Sequence, residues 1–266
     1  MKDCFQALTD SEWQLINNIQ QDQRQRSYHL RAIWDAIFWQ VWTGSQWRTL
    51  TKATQIPYQS VYYYFRRWKN QGLFEQIKDE LLRKRRQQVQ RFACPSAVTF
   101  DSQSVKAVAF TTLDTGIDGH KRIKGRKRHL AVDQLGYPVA ILVTAAHVSD
   151  SQAGKCLADR LSAKITYWSQ AAGIAPRLVL IRADAGYNES FQEYVEKEHE
   201  WLVSIVQKPE SGKGFVPQAG RWQVERSFGW LQFRRRLARD YEKTVESSEA
   251  MLALAFISFL LPKLVT

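Results

Sequence analysis

AVTFDSQSV, Ala97 to Val105, is the stretch on which the fold turns. Its first four residues are apolar or β-branched and read as a strand, and Asp101 follows them directly, ahead of Ser102, Gln103 and Ser104. A carboxylate in or at the end of a strand stands where a solvated charge is unusual. Downstream, HLAVD (His129 to Asp133) and PVAILVTAA (Pro138 to Ala146) have the same texture, and the turn Leu135-Gly136-Tyr137 joins them as a hairpin. A helical stretch from Asp150 to Ala172 leads to another buried strand, RLVLIRAD, from Arg177 to Asp184. A helix from Ser190 to His199 and a strand, WLVSIV, from Trp201 to Val206 follow. Three antiparallel strands and then alternating helix and strand predict an α/β fold, a mixed sheet flanked by helices.

Before Pro95 the chain reads as all-α. Thr9 and Glu12 have capping-box spacing. From Leu30, the positions Ile33, Trp34, Ile37, Phe38 and Val41 form one helical face that Gly44 ends. After a short segment, Thr49 to Ile56, Pro57 opens a second pattern with Val61, Tyr64, Phe65 and Trp68 inward and Gly72 as its stop. Two helices about a tight break predict a helix-turn-helix-like domain. Its outward face carries Tyr58, Gln59, Tyr62, Tyr63, Arg66, Arg67 and Lys69, which is either a solvated basic surface or a DNA-reading one. Amides and guanidinium groups can read base edges, while Lys69 or a tyrosine hydroxyl can hold a phosphate. Leu73 to Arg91, with RKRR at Arg83 to Arg86, reads as a solvated basic linker helix. Cys94-Pro95-Ser96 breaks that pattern and sets a domain boundary: 1–95 helical, 96–266 α/β.

The 266 residues hold 38 Lys and Arg against 26 Asp and Glu, a net charge of +12, of which +7 lies before Ser96 and +5 after it. That excess calls for an acidic partner, and nucleic acid is the expected one. No signal peptide is expected at the start. The longest apolar run, Ala250 to Leu261, falls short of the roughly 20 residues of a bilayer span, so it predicts a buried helix and no membrane partner. Cys4, Cys94 and Cys156 are widely spaced with no C-x-x-C pair, which suits a reducing cytoplasm and supports neither a disulfide framework nor a zinc site. Six of the ten Trp precede Pro95 and four follow it, which predicts two separate cores.

Three acids stand in apolar surroundings. Besides Asp101, Asp184 ends RLVLIRAD just before Ala185-Gly186-Tyr187, and Glu225 lies among Trp222, Phe228, Trp230, Leu231 and Phe233. Burying a carboxylate costs several kcal/mol unless it is paired or binds metal. Taken singly, each has an ordinary alternative: Asp184 as a turn cap or paired with Arg182, Glu225 paired with Arg221 or Arg226. Together, in a basic chain, three hard oxygen donors suit Mg²⁺ or Mn²⁺. Asp133 reads as a turn cap. His120, His129 and His147 lack zinc-site spacing, and neither a G-x-S-x-G elbow nor a P-loop is present. Two basic clusters surround the acids. Lys121, Arg122, Lys124, Arg126, Lys127 and Arg128 fill HKRIKGRKRH, either a solvated loop or a DNA-backbone contact, and Arg226, Arg234 and Arg235 are expected on the helix that carries Glu225.

DSQSVK, the block KRIKGRKRHLAVDQLGYPVA, RADAGY and RWQVERSFGWLQFRRRLARDYEKTVESSEAM resemble bacterial insertion-sequence transposases of the DDE class, insertion-sequence-five group. WTGSQWRTL and VYYYFRRWKNQGLFEQI resemble the helical DNA-binding region of that group, and the likeness runs in order from about Glu12 to Pro262. The resemblance implies a ribonuclease-H-like catalytic domain over 96–266 in which Asp101, Asp184 and Glu225 hold two Mg²⁺ or Mn²⁺ ions. It makes Arg221 a catalytic residue one helical turn from Glu225, where it neutralises phosphate charge. Gln218 and Gln232 stand where the group has Tyr and Lys, and Arg234 or Arg235 is the replacement cation. The implied activity is binding of double-stranded DNA at the element's terminal inverted repeats, then metal-dependent cleavage and strand transfer to target DNA without a covalent intermediate. The implied setting is a homodimer or higher oligomer in a synaptic complex, in the bacterial cytoplasm and on the nucleoid. The alternatives are a catalytically silent DNA-binding regulator and a metal-dependent nuclease of the same fold.

Overall fold

A computed structural model describes residues 4–22, 27–206 and 221–265. The N-terminal helices are α1 (Asp10–Gln20), α2 (Leu30–Thr43), α3 (Leu50–Thr54), α4 (Tyr58–Asn70) and α5 (Leu73–Gln88). Thr9 and Glu12 cap α1 reciprocally, and Gly44, at φ +69°, ends α2. The segment 49–56 is itself helical, so the tight break falls between α3 and α4, where the Tyr58 N–H donates to Thr51 Oγ1 at 2.9 Å. Val61, Phe65 and Trp68 face inward from α4, and the Trp68 ring stacks on Trp34 with centroids 4.9 Å apart.

The sheet comprises β1 (Ala97–Lys106), β2 (Gly116–Asp118), β3 (Ile123–Val132), β4 (Pro138–Ala145), β5 (Leu180–Asp184) and β6 (Leu202–Val206). β3 is antiparallel to β1, β2 and β4, whereas β1, β5 and β6 run parallel. α6 (Asp150–Ala172) makes the crossover to β5, and α7 (Glu189–His199) the crossover to β6. Antiparallel β4, β3 and β1 followed by parallel β5 and β6 form a ribonuclease-H-like mixed sheet. The hairpin turn between β3 and β4 needs Gly136 at φ +80°. Asp133 caps that turn, its Oδ1 accepting from the N–H groups of Leu135 at 2.9 Å and Tyr137 at 3.1 Å. Its other oxygen pairs with the buried Arg86 of α5.

α8 (Arg221–Leu231) and α9 (Val245–Val265) complete the fold. α9 runs through Pro262 rather than stopping before it. By length and a mean hydropathy of 1.7 it resembles a membrane span, but most of its apolar surface is buried, against α1, α2, α4 and α5 on one side and β4 on the other. It is a core helix, and it corrects the expectation of two separate cores: one cluster of buried side chains runs continuously from Leu8 to Leu261.

Two further expectations change. The stretch 73–91 is no solvated linker. α5 buries Leu73, Phe74, Ile77, Leu81 and Leu82, and with them Lys78, whose Nζ donates to the carbonyls of Pro138 at 2.8 Å and Val139 at 3.2 Å and pairs with Asp79 at 2.7 Å. The basic run 121–128 is no loop, since from Ile123 onward it is β3. Arg126, Lys127 and Arg128 are buried there, while Lys121, Arg122 and Lys124 remain exposed. Arg126 donates to the carbonyls of Leu113 at 2.8 Å, Glu242 at 3.0 Å and Lys243 at 3.1 Å, and lies 3.4 Å from the buried Asp240. A guanidinium committed in this way stitches β3 to the chain before α9 and has no donors to offer a DNA backbone. Arg128, also inside, has its pKa pushed down to about 10 by burial.

Candidate active site

Parallel pairing of β1 with β5 aligns Thr99 with Arg182. Two residues further along each strand come Asp101 and Asp184, so the register brings these aspartates to neighbouring positions on one face of the sheet, both half-buried. Each carboxylate is fixed by the backbone just beyond it. Asp101 Oδ1 accepts from the Ser102 N–H at 2.7 Å, and Asp184 Oδ1 accepts from the Gly186 N–H at 3.0 Å. The tight turn after Asp184 is closed by the Tyr187 N–H on the Asp184 carbonyl at 3.1 Å.

α8 lies against β1 and β3 with Val224, Ser227, Phe228 and Leu231 buried and Glu225 exposed. Ser227 Oγ donates to the carbonyl of Gly136 at 2.5 Å. Arg226 donates to the carbonyl of Leu135 at 2.7 Å and stacks on Trp222 at 4.3 Å and Trp230 at 4.9 Å. These two residues pin α8 to the hairpin turn, so Arg226 is a fastening for the Glu225 helix rather than a DNA contact. Arg221 begins α8, but its side chain, like Gln218, lies outside the described residues. Arg234 is also taken inward, with its guanidinium over Trp42 at 4.6 Å and Phe259 at 4.1 Å and its Nε on Ser258 Oγ at 3.0 Å. Burial lowers its pKa to about 10. That removes it as the replacement cation, while Arg235 and Gln232 are exposed. On α4, Tyr62 and Arg66 are exposed, Arg67 is half-buried, and Lys69 Nζ reaches Ser247 Oγ at 3.4 Å.

The structure adds Asp150, a residue that sequence patterning passes over. It opens α6 directly after the N-cap Ser149, where an acid ordinarily serves only the helix dipole. Here its Oδ1 accepts from Ser102 Oγ at 2.7 Å and lies 3.2 Å from Lys127 Nζ. Lys127 thus turns toward the acids and also donates to the carbonyl of Val148 at 2.9 Å. His129 is fully buried, and burial lowers its pKa to about 4, so the ring is neutral at pH 7 with Nε2 on Thr144 Oγ1 at 3.0 Å. Burial drives the pKa of the Tyr187 phenol well above its ordinary value, and the charges of Asp150, Asp101 and Asp184 push it the same way.

Among the described residues no three His, Cys, Asp or Glu side chains converge closely enough to ligate one ion. The helix of Glu225 packs on β1, the strand of Asp101, and Glu225 closes no cage with the two aspartates. The donor set nevertheless fits a hard divalent cation: Mg²⁺ typically takes one or two carboxylates and fills its octahedron with water and substrate oxygens. A cradle exists beside Asp184, where a methyl group on Gly186 would stand 3.0 Å from Asp184 Oδ1 and 3.2 Å from Asp150 Oδ2.

Residues 92–261 match a family model described as the transposase DDE domain, and residues 8–78 match one described as a putative transposase of the IS4/5 family. No curated protein matches the chain. The first match covers the whole sheet together with α8 and most of α9, and the second covers α1 to α4 and the first part of α5, in the order of the sequence. The chain thus belongs to the DDE transposases of the IS4/5 family, polynucleotidyl-transferase-type enzymes of a group that generally uses divalent metals.

Proposed function

We propose that this transposase binds the terminal inverted repeats of an insertion sequence and carries out metal-dependent cleavage and strand transfer on double-stranded DNA. The observation that carries the reading is the β1–β5 register, which aligns mid-strand Asp101 with Asp184 at the end of β5 in a ribonuclease-H-like sheet. In this reading Asp101, Asp184 and Glu225 hold two Mg²⁺ or Mn²⁺ ions. Bound divalent ions supply activation of a water or a 3′-hydroxyl and stabilisation of the leaving oxygen. The protein's own part is to present carboxylates from two rigid strands and one pinned helix. Such pre-organisation spares reorganisation when charge develops on the phosphate. Arg221, at the start of α8, neutralises part of that charge.

Residues 1–95 recognise the element's ends in this scheme, through Tyr62, Arg66, Arg67 and Lys69 on α4, and 96–266 perform the chemistry. Lys121, Arg122 and Lys124, exposed at the tip of the β2–β3 hairpin, supply backbone contacts, with Arg235 near α8. Two such protomers, or more, pair the ends in a synaptic complex.

The test is cleavage and joining of inverted-repeat DNA in Mg²⁺ by Asp101→Asn, Asp184→Asn and Glu225→Gln. Each substitution is expected to lower the rate by on the order of a thousandfold, the loss of several kcal/mol of transition-state stabilisation, while DNA binding persists. Near-native turnover in any of the three removes that residue from the site.

A further inference from the structure

We propose that Asp150 is a positioning residue of the acid site, a further carboxylate that governs how tightly the Asp101–Asp184 pair holds a divalent cation. The inference rests on the site reading above and deepens it. Three observations lead to Asp150. First, Ser102 serves two acids at once: its N–H donates to Asp101 Oδ1 at 2.7 Å and its Oγ to Asp150 Oδ1 at 2.7 Å. Any movement of Asp150 is thereby transmitted to the backbone that orients Asp101. Second, Asp150 Oδ2 and Asp184 Oδ1 converge on the space above Gly186, at 3.2 Å and 3.0 Å from the point a β-carbon would take. Two anionic oxygens aimed at one small space repel each other and are stabilised by a cation between or near them.

The third observation concerns Tyr187. Its ring is 1% exposed, wedged against Phe100 and Phe191, and its phenol oxygen has no hydrogen-bond partner among the described residues. A buried hydroxyl without a partner, within the field of Asp150, Asp101 and Asp184, is a place where a polar species would complete the bonding. Lys127 Nζ lies 3.2 Å from Asp150 Oδ1 and gives that half-buried carboxylate a countercharge.

The neighbouring Ser151 strengthens the mechanical side of the argument. Its Oγ donates to the carbonyl of Gly186 at 3.2 Å and accepts from the Asn188 N–H at 2.8 Å. The first turn of α6 therefore grips β1 through Ser102 and the turn after β5 through Gly186 and Asn188. It spans the two acid-bearing strands and fixes their separation. Because three His, Cys, Asp or Glu groups do not converge on one point among the described residues, Asp150 would act through Ser102 and an outer contact to a bound ion rather than as a third direct ligand.

The experiment is a Mn²⁺ titration of the full-length protein without DNA, following the loss of the free-ion electron paramagnetic resonance signal. Wild type is compared with Asp150→Asn, Asp150→Glu, Ser102→Ala, Asp101→Asn and Asp184→Asn, with circular dichroism melts to verify folding. Asp150→Asn is expected to weaken Mn²⁺ binding tenfold or more, Ser102→Ala to weaken it less, and Asp150→Glu to recover part of the loss. Wild-type affinity in Asp150→Asn alongside weakened binding in Asp101→Asn and Asp184→Asn overturns the role of Asp150 and leaves the site intact. Unchanged affinity in Asp101→Asn and Asp184→Asn overturns the site reading itself. Should Asp150→Asn fail to fold, Ser102→Ala decides: wild-type affinity there overturns the proposal.

Discussion

At the scale of single residues, Gly186 shows how little room the acid site has. Its backbone has no left-handed φ, so alanine is sterically permitted by the chain itself. The added methyl would instead press on Asp184 Oδ1 at 3.0 Å and Asp150 Oδ2 at 3.2 Å, side-chain ends that can yield only by loosening the hydrogen bonds that orient them. Gly186→Ala should therefore keep its stability within about 0.5 kcal/mol, as exposed substitutions usually do. Its cleavage rate should fall at least about tenfold, because a displaced carboxylate no longer matches the metal geometry. Urea denaturation and a cleavage time course on the same preparation check both halves. His129 supplies a pH dependence. The folded chain leaves it neutral down to about pH 4, whereas a free imidazole takes up its proton near 6.5. Between those values the unfolded chain binds more protons, so stability falls as pH is lowered from about 6.5 toward 4. The loss from this group is at most about 3 kcal/mol. Urea midpoints at pH 7 and 4.5 should separate less in His129→Gln than in wild type. That Asp101 and Asp184 were candidates was legible in the sequence because each follows a largely apolar run, although Asp101 proves to lie in the middle of β1 rather than at its end. Asp150 was not, since its partner Ser102 is 48 positions away and its own neighbours describe an ordinary helix start.

Whole elements divide in the same way. β1, β3, β4, β5 and β6, and α6 and α7, fall where apolar runs, the Gly136 turn and helix caps put them, because those signals are local. The first half of β3 did not, since its pattern is one of charge. Arg126 is rendered harmless inside the sheet by carbonyls at 242 and 243 and by Asp240, more than a hundred residues along the chain. No local signal announces that arrangement. It makes adjacent cations in one run behave oppositely. Arg126→Ala should destabilise the fold by about 3–5 kcal/mol, by leaving Asp240 without its buried counter-charge. Ala at Lys121, Arg122 or Lys124 should leave the melting temperature unchanged and flatten the salt dependence of DNA binding, by about one unit of slope for each. Thermal melts and a binding series from 50 to 200 mM salt distinguish the two classes. Equal effects from all four would mean that the run acts as one surface.

For the molecule as a whole, the shared core is decisive. Leu254, Phe256, Ile257 and Leu261 of α9 are buried, and α9 touches the N-terminal helices and the sheet alike. Each such side chain contributes about 1.5–3 kcal/mol on burial. A fragment of residues 96–266 would therefore expose one face of α9 and the carbonyls that Lys78 occupies. It should aggregate on size-exclusion chromatography, whereas the full chain should unfold in one transition. A monomeric, natively helical fragment would contradict this. The apolar composition of α9 was readable, but its two-sided burial was not, because composition does not say how many neighbours a helix has.

That shared helix bears on how DNA would be measured out. With α5 packed along α9, and α9 in turn on β4, rather than hanging in solvent, the α4 surface and the Asp101–Asp184 pair are joined through one continuous core. In the proposed function such a body would work as a ruler, admitting only one distance and one rotational phase between the base pairs gripped and the bond cut within one protomer's reach. Adding half a helical turn of DNA, about 5 base pairs, would carry the scissile phosphate to the far side of the duplex, and a full turn of about 10.5 would return it to the same side but out of reach.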